Sequence, residues 1–141
     1  MIALLRKIRR RSVGELSLLL AAVALRGALL VLLPVTSFGR LQRTGTVFAH
    51  AWSCGTVGDA AFEHRVAWAV ATAAALLPAE NTCLADALTA HWLLEAGGCP
   101  STIRFGVART PTHPIRAHAW VEAQSGIVAG AAGAGTFATL D

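Results

Sequence analysis

Apolar residues recur along the chain in two rhythms, and the rhythm changes near residue 100. Leu18, Ala22, Leu25, Leu29 and Leu32 follow three- and four-residue spacing, which lines one face of a helix. Ser12 is an N-cap residue type, Glu15 takes the third helical position, and Pro34 blocks continuation. The spacing therefore predicts a helix from about Ser12 to Leu33. Residues 34–57 are rich in Gly, Thr and Ser and read as a connector. Asp59 can cap a second helix from about Ala60 to Leu77, with Phe62, Val66, Ala69, Ala73 and Leu77 along one face and Pro78 at its end. Asn81 and Thr82 precede a third, in which Leu84, Ala87, Leu88, His91 and Leu94 keep helical spacing until Gly97-Gly98 and Pro100 stop it.

Beyond that point the period becomes two. Ile103, Phe105 and Val107 alternate within a strand from Thr102 to Ala108, and a second strand runs from Ile115 to Ala123. Gln124-Ser125-Gly126 is a turn signal leading to a strand at Ile127 to Ala129. After a Gly- and Ala-rich tail, Thr136 to Leu140 reads as a last short strand. Helices first and strands after predict an α+β fold built on a small antiparallel sheet.

Composition narrows this further. A chain of 141 residues holds one small domain, or one with an appendage, and excludes a multi-domain enzyme. With 55% hydrophobic residues it is not a disordered chain, and three cysteines cannot form a disulfide framework without leaving a free thiol. The net charge of +4 hides an asymmetry: residues 1–43 carry eight basic side chains and one acid, whereas residues 44–141 carry four and seven. The chain divides into a basic, apolar front end over 1–57 and a mildly acidic body over 58–141.

The front end admits three readings. The apolar stretch of residues 16–33 approaches the length of a bilayer span, but Arg26 lies in its middle, where insertion scales charge about 2.5–3.5 kcal/mol. Ala22-Val23-Ala24 is compatible with a signal-peptide cleavage site, although Glu15 interrupts the approach and the apolar run continues to Leu33. An amphipathic helix whose stripe is covered by the body or by a partner protein accounts for the cap, the spacing and Arg26 together. Nucleic-acid binding is disfavoured, because neither aromatic interleaving nor a recognition motif follows the basic run.

The candidate chemistry centres on Cys83, at the first turn of a predicted helix. There, unpaired backbone N–H groups and the helix dipole favour an anionic sulfur and can also receive an oxyanion. A nucleophilic thiolate needs a proton carrier, and His118 lies 35 residues on, in a predicted strand. Each residue alone has a purely structural reading, as a core cysteine and a satisfied strand histidine. Cys54 and Cys99 read as structural, Asp86 as a first-turn helix charge, and Arg104, Arg109 and Arg116 as solvated charges able to steer an acidic peptide. No paired Cys or His spacing suggests a metal site, and no cofactor is called for.

The residues between His64 and Glu122 carry a family resemblance. The blocks are Arg65-Val66-Ala67-Trp68, Leu77-Pro78, Cys83-Leu84-Ala85, Leu93-Leu94, Gly97, Arg104-Phe105-Gly106-Val107 and Ala117-His118-Ala119-Trp120-Val121-Glu122. Together they resemble the transglutaminase-like leader peptidase of lasso-peptide biosynthesis, the protease part of its B protein. The resemblance covers roughly the last 80 residues, and the basic, Leu-rich front end is also similar to that family's N-terminal region.

This resemblance implies a papain/transglutaminase-like fold over 58–141, Cys83 as nucleophile and His118 as base. It implies a ribosomally made precursor peptide, cut between leader and core. Of the residues near this pair, Trp120 and Val121 read as sheet packing, with Trp120 alternatively a wall of the substrate cleft, and Gly106 reads as a strand bulge or a close backbone approach to bound peptide. Residues 1–57 hold no strand-rich leader-binding module. A split system is implied, with a separate leader-recognition protein, a macrolactam-forming cyclase and a cytoplasmic location.

The family pattern also has an acid twelve residues after the His. Counting through the Gln124-Ser125 turn places position 130 or 131 opposite His118, and these are Gly130 and Ala131. Ala129 offers no carboxylate either, Glu122 lies four residues along the same strand, and Asp141 is the last residue. The resemblance leaves two outcomes: a Cys–His dyad oriented by a backbone carbonyl or water, or a non-catalytic scaffold that binds the precursor or the cyclase. A third function class is a membrane-tethered or secreted transglutaminase-like enzyme.

Overall fold

In the computed structural model, residues 1–51, 58–109, 111–112, 115–131 and 138–140 are described. They form helices α1 (Ile2–Arg9), α2 (Val13–Leu32), α3 (Phe38–Ala51), α4 (Ala60–Leu76) and α5 (Cys83–Ala96). Strands β1 (Thr102–Ala108), β2 (Arg116–Ala123), β3 (Gly126–Ala129) and β4 (Ala138–Leu140) follow. The sheet is antiparallel in the order β3-β2-β1-β4, so helices precede strands as the change of period predicts.

The caps act as the sequence implies. The Glu15 N–H donates to Ser12 Oγ at 3.3 Å and the Ser12 N–H donates to Glu15 Oε2 at 3.0 Å, a complete capping box at the start of α2. The Phe62 N–H donates to Asp59 Oδ1 at 2.9 Å at the start of α4. Gly98, with φ of 73°, supplies the left-handed residue after α5.

One front-end expectation is corrected: the connector contains the 14-residue α3, while the basic run, for which periodicity gave no element, forms α1. Residues of low helix propensity hide α3, and tertiary contact overrides them. Thr44 and Thr46 return their hydroxyls to the carbonyls of Arg40 and Gln42, and Gly45 presses on the Trp92 ring. A Cβ at Gly45 would sit 1.8 Å from Trp92 Cε2, so no larger residue fits beneath that indole.

The front helix is covered by the body. Leu19, Ala22, Arg26 and Leu29 are its buried residues, a face turned from the predicted stripe toward the arginine. Leu19 and Ala22 join Val66, Ala69, Ala73, Ala87, Ala90 and Leu94 of α4 and α5, with Ala119 and Val121 of β2, in one core. The many alanines let three helices approach closely over the sheet. Leu29 and Leu41 join Ala85, Leu88 and Trp92 in a second cluster that seats α3 against α5.

Arg26 is 1% exposed. Its Nε donates to Asp86 Oδ1 at 2.6 Å and its Nη1 donates to the Leu77 carbonyl at the end of α4. The second Asp86 oxygen accepts from Thr82 Oγ1 at 3.0 Å. One buried cation thus ties α2 to the end of α4 and the beginning of α5.

A second polar anchor holds the β2–β3 turn. Glu63 is buried in the first turn of α4, and its Oε2 accepts from the Ser125 N–H at 2.8 Å. Bonds from the Ser125 side chain hold its carboxyl below the usual glutamate range, against the opposing effect of burial, with further help from the Ser125 and Gln124 main chain. A lowered folded value means that this stabilisation is present above the unfolded glutamate value, about 4.3, and is lost as pH falls through the folded value. Glu63→Gln is expected to lower unfolding free energy at neutral pH by about 1.5–3 kcal/mol. It should also flatten the acid limb of stability against pH in urea titrations. An unchanged acid limb would mean that the carboxylate does not anchor the turn.

Candidate active site

Cys83 is the first residue of α5, as the spacing predicts. The preceding loop sets this up: Asn81 takes a left-handed φ of 54°, a conformation that Asn tolerates better than most residues. Thr82 occupies the N-cap without a side-chain cap bond, because its hydroxyl is turned to Asp86. The first-turn N–H groups beside Cys83 are therefore not occupied by their own cap residue. They remain suited to receiving negative charge.

His118 lies on β2, directly opposite Gly106 of β1. Alternation sends Ala119 and Val121 into the helical core, while His118, Trp120 and Glu122 share the other face. The Trp120 ring stacks on His118 with centroids 6.0 Å apart and planes inclined by 22°. Its Nε1 donates to Glu122 Oε1 at 3.0 Å, and Arg104 Nε donates to Glu122 Oε2 at 3.3 Å. These contacts account for the Glu122 carboxylate. The Trp120 indole, ahead of Arg104, holds it below the usual range despite some desolvation.

The orienting group is the main chain of residue 130. His118 Nε2 lies 2.8 Å from the Gly130 carbonyl oxygen. A carbonyl only accepts, so Nε2 carries the hydrogen and Nδ1 is the basic nitrogen of the neutral ring. The position where the family pattern has an acid thus contributes its backbone oxygen. Glycine is required there: φ is +80°, and a Cβ would come within 2.7 Å of the Ala119 carbonyl oxygen. The approach depends on a bulge. Ala123 pairs with Gly126 and Glu122 with Ile127, but Val121 pairs with Ala129, leaving Val128 as the extra residue. The simple hairpin count is therefore displaced by one residue beyond Val128.

Cys83 and His118 line the same cavity, of about 610 Å³. Asn81 and Thr82 complete its wall on the α5 side, with Ile115, Arg116 and Ala117 on the β2 side. Size does not single it out, since cavities of about 560 Å³ beside α1 and about 510 Å³ between α2 and α3 are comparable. Its chemistry does: a cysteine, a histidine and an arginine line one space.

The other expected site residues fall differently. Trp120 is buried, stacks on His118 and lies outside that cavity lining, which agrees with its reading as sheet packing rather than as a cleft wall. Gly106 is also outside the lining, and the β1–β2 register runs through it without the expected bulge. It is buried where β1 pairs with His118 of β2. Cys99 is buried, with Sγ 3.9 Å from the Asp59 carbonyl oxygen. Burial pushes its thiol up, helped by nearby Glu63, Asp59 and Glu95, which suits a structural cysteine. Cys54 and Asp141 lie outside the described residues. Asp86 is a first-turn charge as expected, and the Arg26 pair adds a role that sequence spacing alone did not reveal.

The Gly130 contact fixes a tautomer, which ¹⁵N spectroscopy can read. At a pH where His118 is neutral, the hydrogen is expected on Nε2. Gly130→Ala, which cannot hold this backbone without strain, is expected to mix the tautomers. A wild-type Nδ1–H ring would contradict this orientation.

Comparison with known protein families matches residues 57–140, more than half of the chain, to the transglutaminase-like superfamily. No curated protein and no solved structure matches the chain. The matched region runs from just before α4 to the end of β4 and so contains Cys83, His118 and Gly130. With its α+β architecture and its cysteine at a helix start beside an antiparallel sheet, the chain belongs to the transglutaminase-like superfamily.

Proposed function

We propose that this protein is a cysteine peptidase that removes the leader from a lasso-peptide precursor in the cytoplasm. It would act with a separate leader-recognition protein and a macrolactam-forming cyclase. The observation that carries the peptidase chemistry is the shared cavity of Cys83 and His118, with the Gly130 carbonyl beside the imidazole. The sequence blocks around both residues support the choice of substrate.

In this mechanism His118 Nδ1 takes the Cys83 thiol proton, and the sulfur attacks the scissile carbonyl. The oxyanion forms beside the uncapped first-turn N–H groups of α5. Collapse of the tetrahedral intermediate breaks the C–N bond, and His118 gives its proton to the departing amine of the core peptide. Water, deprotonated by His118, then hydrolyses the Cys83 thioester, releasing the leader carboxylate and restoring the thiol. Arg116, on the cavity wall, would favour an acidic or carboxylate-bearing peptide segment.

A second reading has one observation in its favour. Glycine, not an acid, occupies position 130, as it would in a scaffold that binds precursor or cyclase without cutting. Precursor peptide, its leader-binding partner and the cyclase, incubated with this protein and followed by mass spectrometry, separate the two. Wild type is expected to release free leader, and Cys83→Ala to fall to the uncatalysed background. Equal cleavage by both would remove Cys83 as nucleophile, and cleavage by neither would favour the scaffold.

A further inference from the structure

The side of α2 turned away from the body is apolar along the whole helix. Leu19, Ala22, Arg26 and Leu29 face inward, whereas Val13, Leu20, Ala24, Ala28 and Val31 lie exposed at three-, four- and seven-residue spacings. Leu20 is 71% and Val31 70% exposed, and only Ser17 interrupts the row with a polar group. At 1.5 Å per residue the 20-residue helix offers a ridge roughly 30 Å long. An apolar cavity between α2 and α3 opens beside it, lined by Ala21, Ala24, Leu25, Phe48 and Ala51. Water is a poor solvent for so continuous a face.

The charge at one end of the ridge names the occupant. Arg6, Lys7, Arg9 and Arg10 are exposed on or just after α1, and none forms an ion pair among the described residues. Arg11 is engaged by Glu15, the only acid in the first 43 residues. Arg6, Arg9 and Arg10 share one groove with Ile2 and Leu5, so cations and apolar side chains face the same space. Arg40 and Arg43 on α3 are exposed as well. Apolar side chains flanked by unpaired cations match a surface that is negatively charged outside and apolar beneath.

We propose that α1 and the outer face of α2 dock the protein on an anionic lipid bilayer, lying on it rather than crossing it. By length and composition alone α2 would suffice to cross a membrane. Its inner face, however, belongs to the protein core, and crossing would strip Arg26 from Asp86 and the Leu77 carbonyl. Lying in the interface keeps that pair intact and leaves only the exposed ridge for lipid. This inference does not depend on the peptidase chemistry.

Sedimentation with vesicles tests it on the full chain. Vesicles of phosphatidylcholine with phosphatidylserine are expected to bind the protein, and vesicles of phosphatidylcholine alone to bind it far less. High salt or carbonate should release it. Each surface cation is worth roughly fivefold in such binding. Arg6→Gln, Lys7→Gln, Arg9→Gln and Arg10→Gln together should therefore weaken it on the order of a hundredfold or more. Leu20→Gln with Val31→Gln, both at exposed positions, should weaken it without lowering thermal stability. Equal binding to neutral vesicles, no binding to either, indifference to these variants or resistance to carbonate would each overturn the proposal. So would a lipid-free dimer, seen by ultracentrifugation, that Leu20→Gln dissolves, since the face would then be a protein interface.

Discussion

A guanidinium cannot rest unpaired among apolar side chains, and Arg26 sits in the middle of the most apolar helix of this protein. The helix can pack on the body only in the rotation that brings Arg26 to Asp86 and to the carbonyl ending α4. That requirement displaces the buried face of α2 from the stripe of leucines. It also fixes where α5 begins, because the carboxylate that receives Arg26 bonds with its other oxygen to Thr82, the residue before Cys83. The same bond turns the Thr82 hydroxyl away from the helix N-terminus. The first-turn N–H groups beside the thiol thus owe their availability to a cation sixty residues earlier in the chain. The superfamily match begins at residue 57, yet Asp86 within it depends on an arginine outside it.

The imidazole side of the cavity is set by backbone geometry. Glu63 pins the β2–β3 turn to α4, the Val128 bulge shifts the strand, and the left-handed Gly130 brings its carbonyl to His118. A carbonyl oxygen selects the tautomer as a carboxylate does, but it is a dipole rather than a full charge. An imidazolium therefore lacks here the charge–charge attraction that an acid would add. The geometry preserves orientation and gives up part of the electrostatic stabilisation. Trp120 supports the orientation from the strand side by stacking on the ring.

The α+β class, α2, α4, α5 and the strands all follow from periodicity and punctuation, since caps, prolines and glycine pairs are local signals. Cys83 at a helix start was legible for the same reason. Beyond the short α1, two things were not. The first was α3, because its Thr and Gly residues make a poor helix alone and are stabilised by Trp92 on a distant element. The second was the partner of His118, because a backbone carbonyl leaves no mark on the side-chain sequence and one bulged residue displaces any count across the hairpin. Glycine at position 130 could be noted as a missing acid; its positive φ, visible only in the structure, explains why glycine is needed there. The Arg26–Asp86 pair did leave a signal, a lone cation in an apolar run and an acid one turn past the cysteine, but pairing them required the fold.

A double-mutant cycle on Arg26 and Asp86, read by urea unfolding, tests the dependence of the structure on this pair most directly. Asp86→Ala alone strands a buried cation and is predicted to cost about 3–5 kcal/mol. In an Arg26→Met background the same substitution is predicted to cost far less, because no buried charge is left unpaired. A cost under about 1 kcal/mol for Asp86→Ala in the wild-type background, as for an exposed ion pair, would contradict the account.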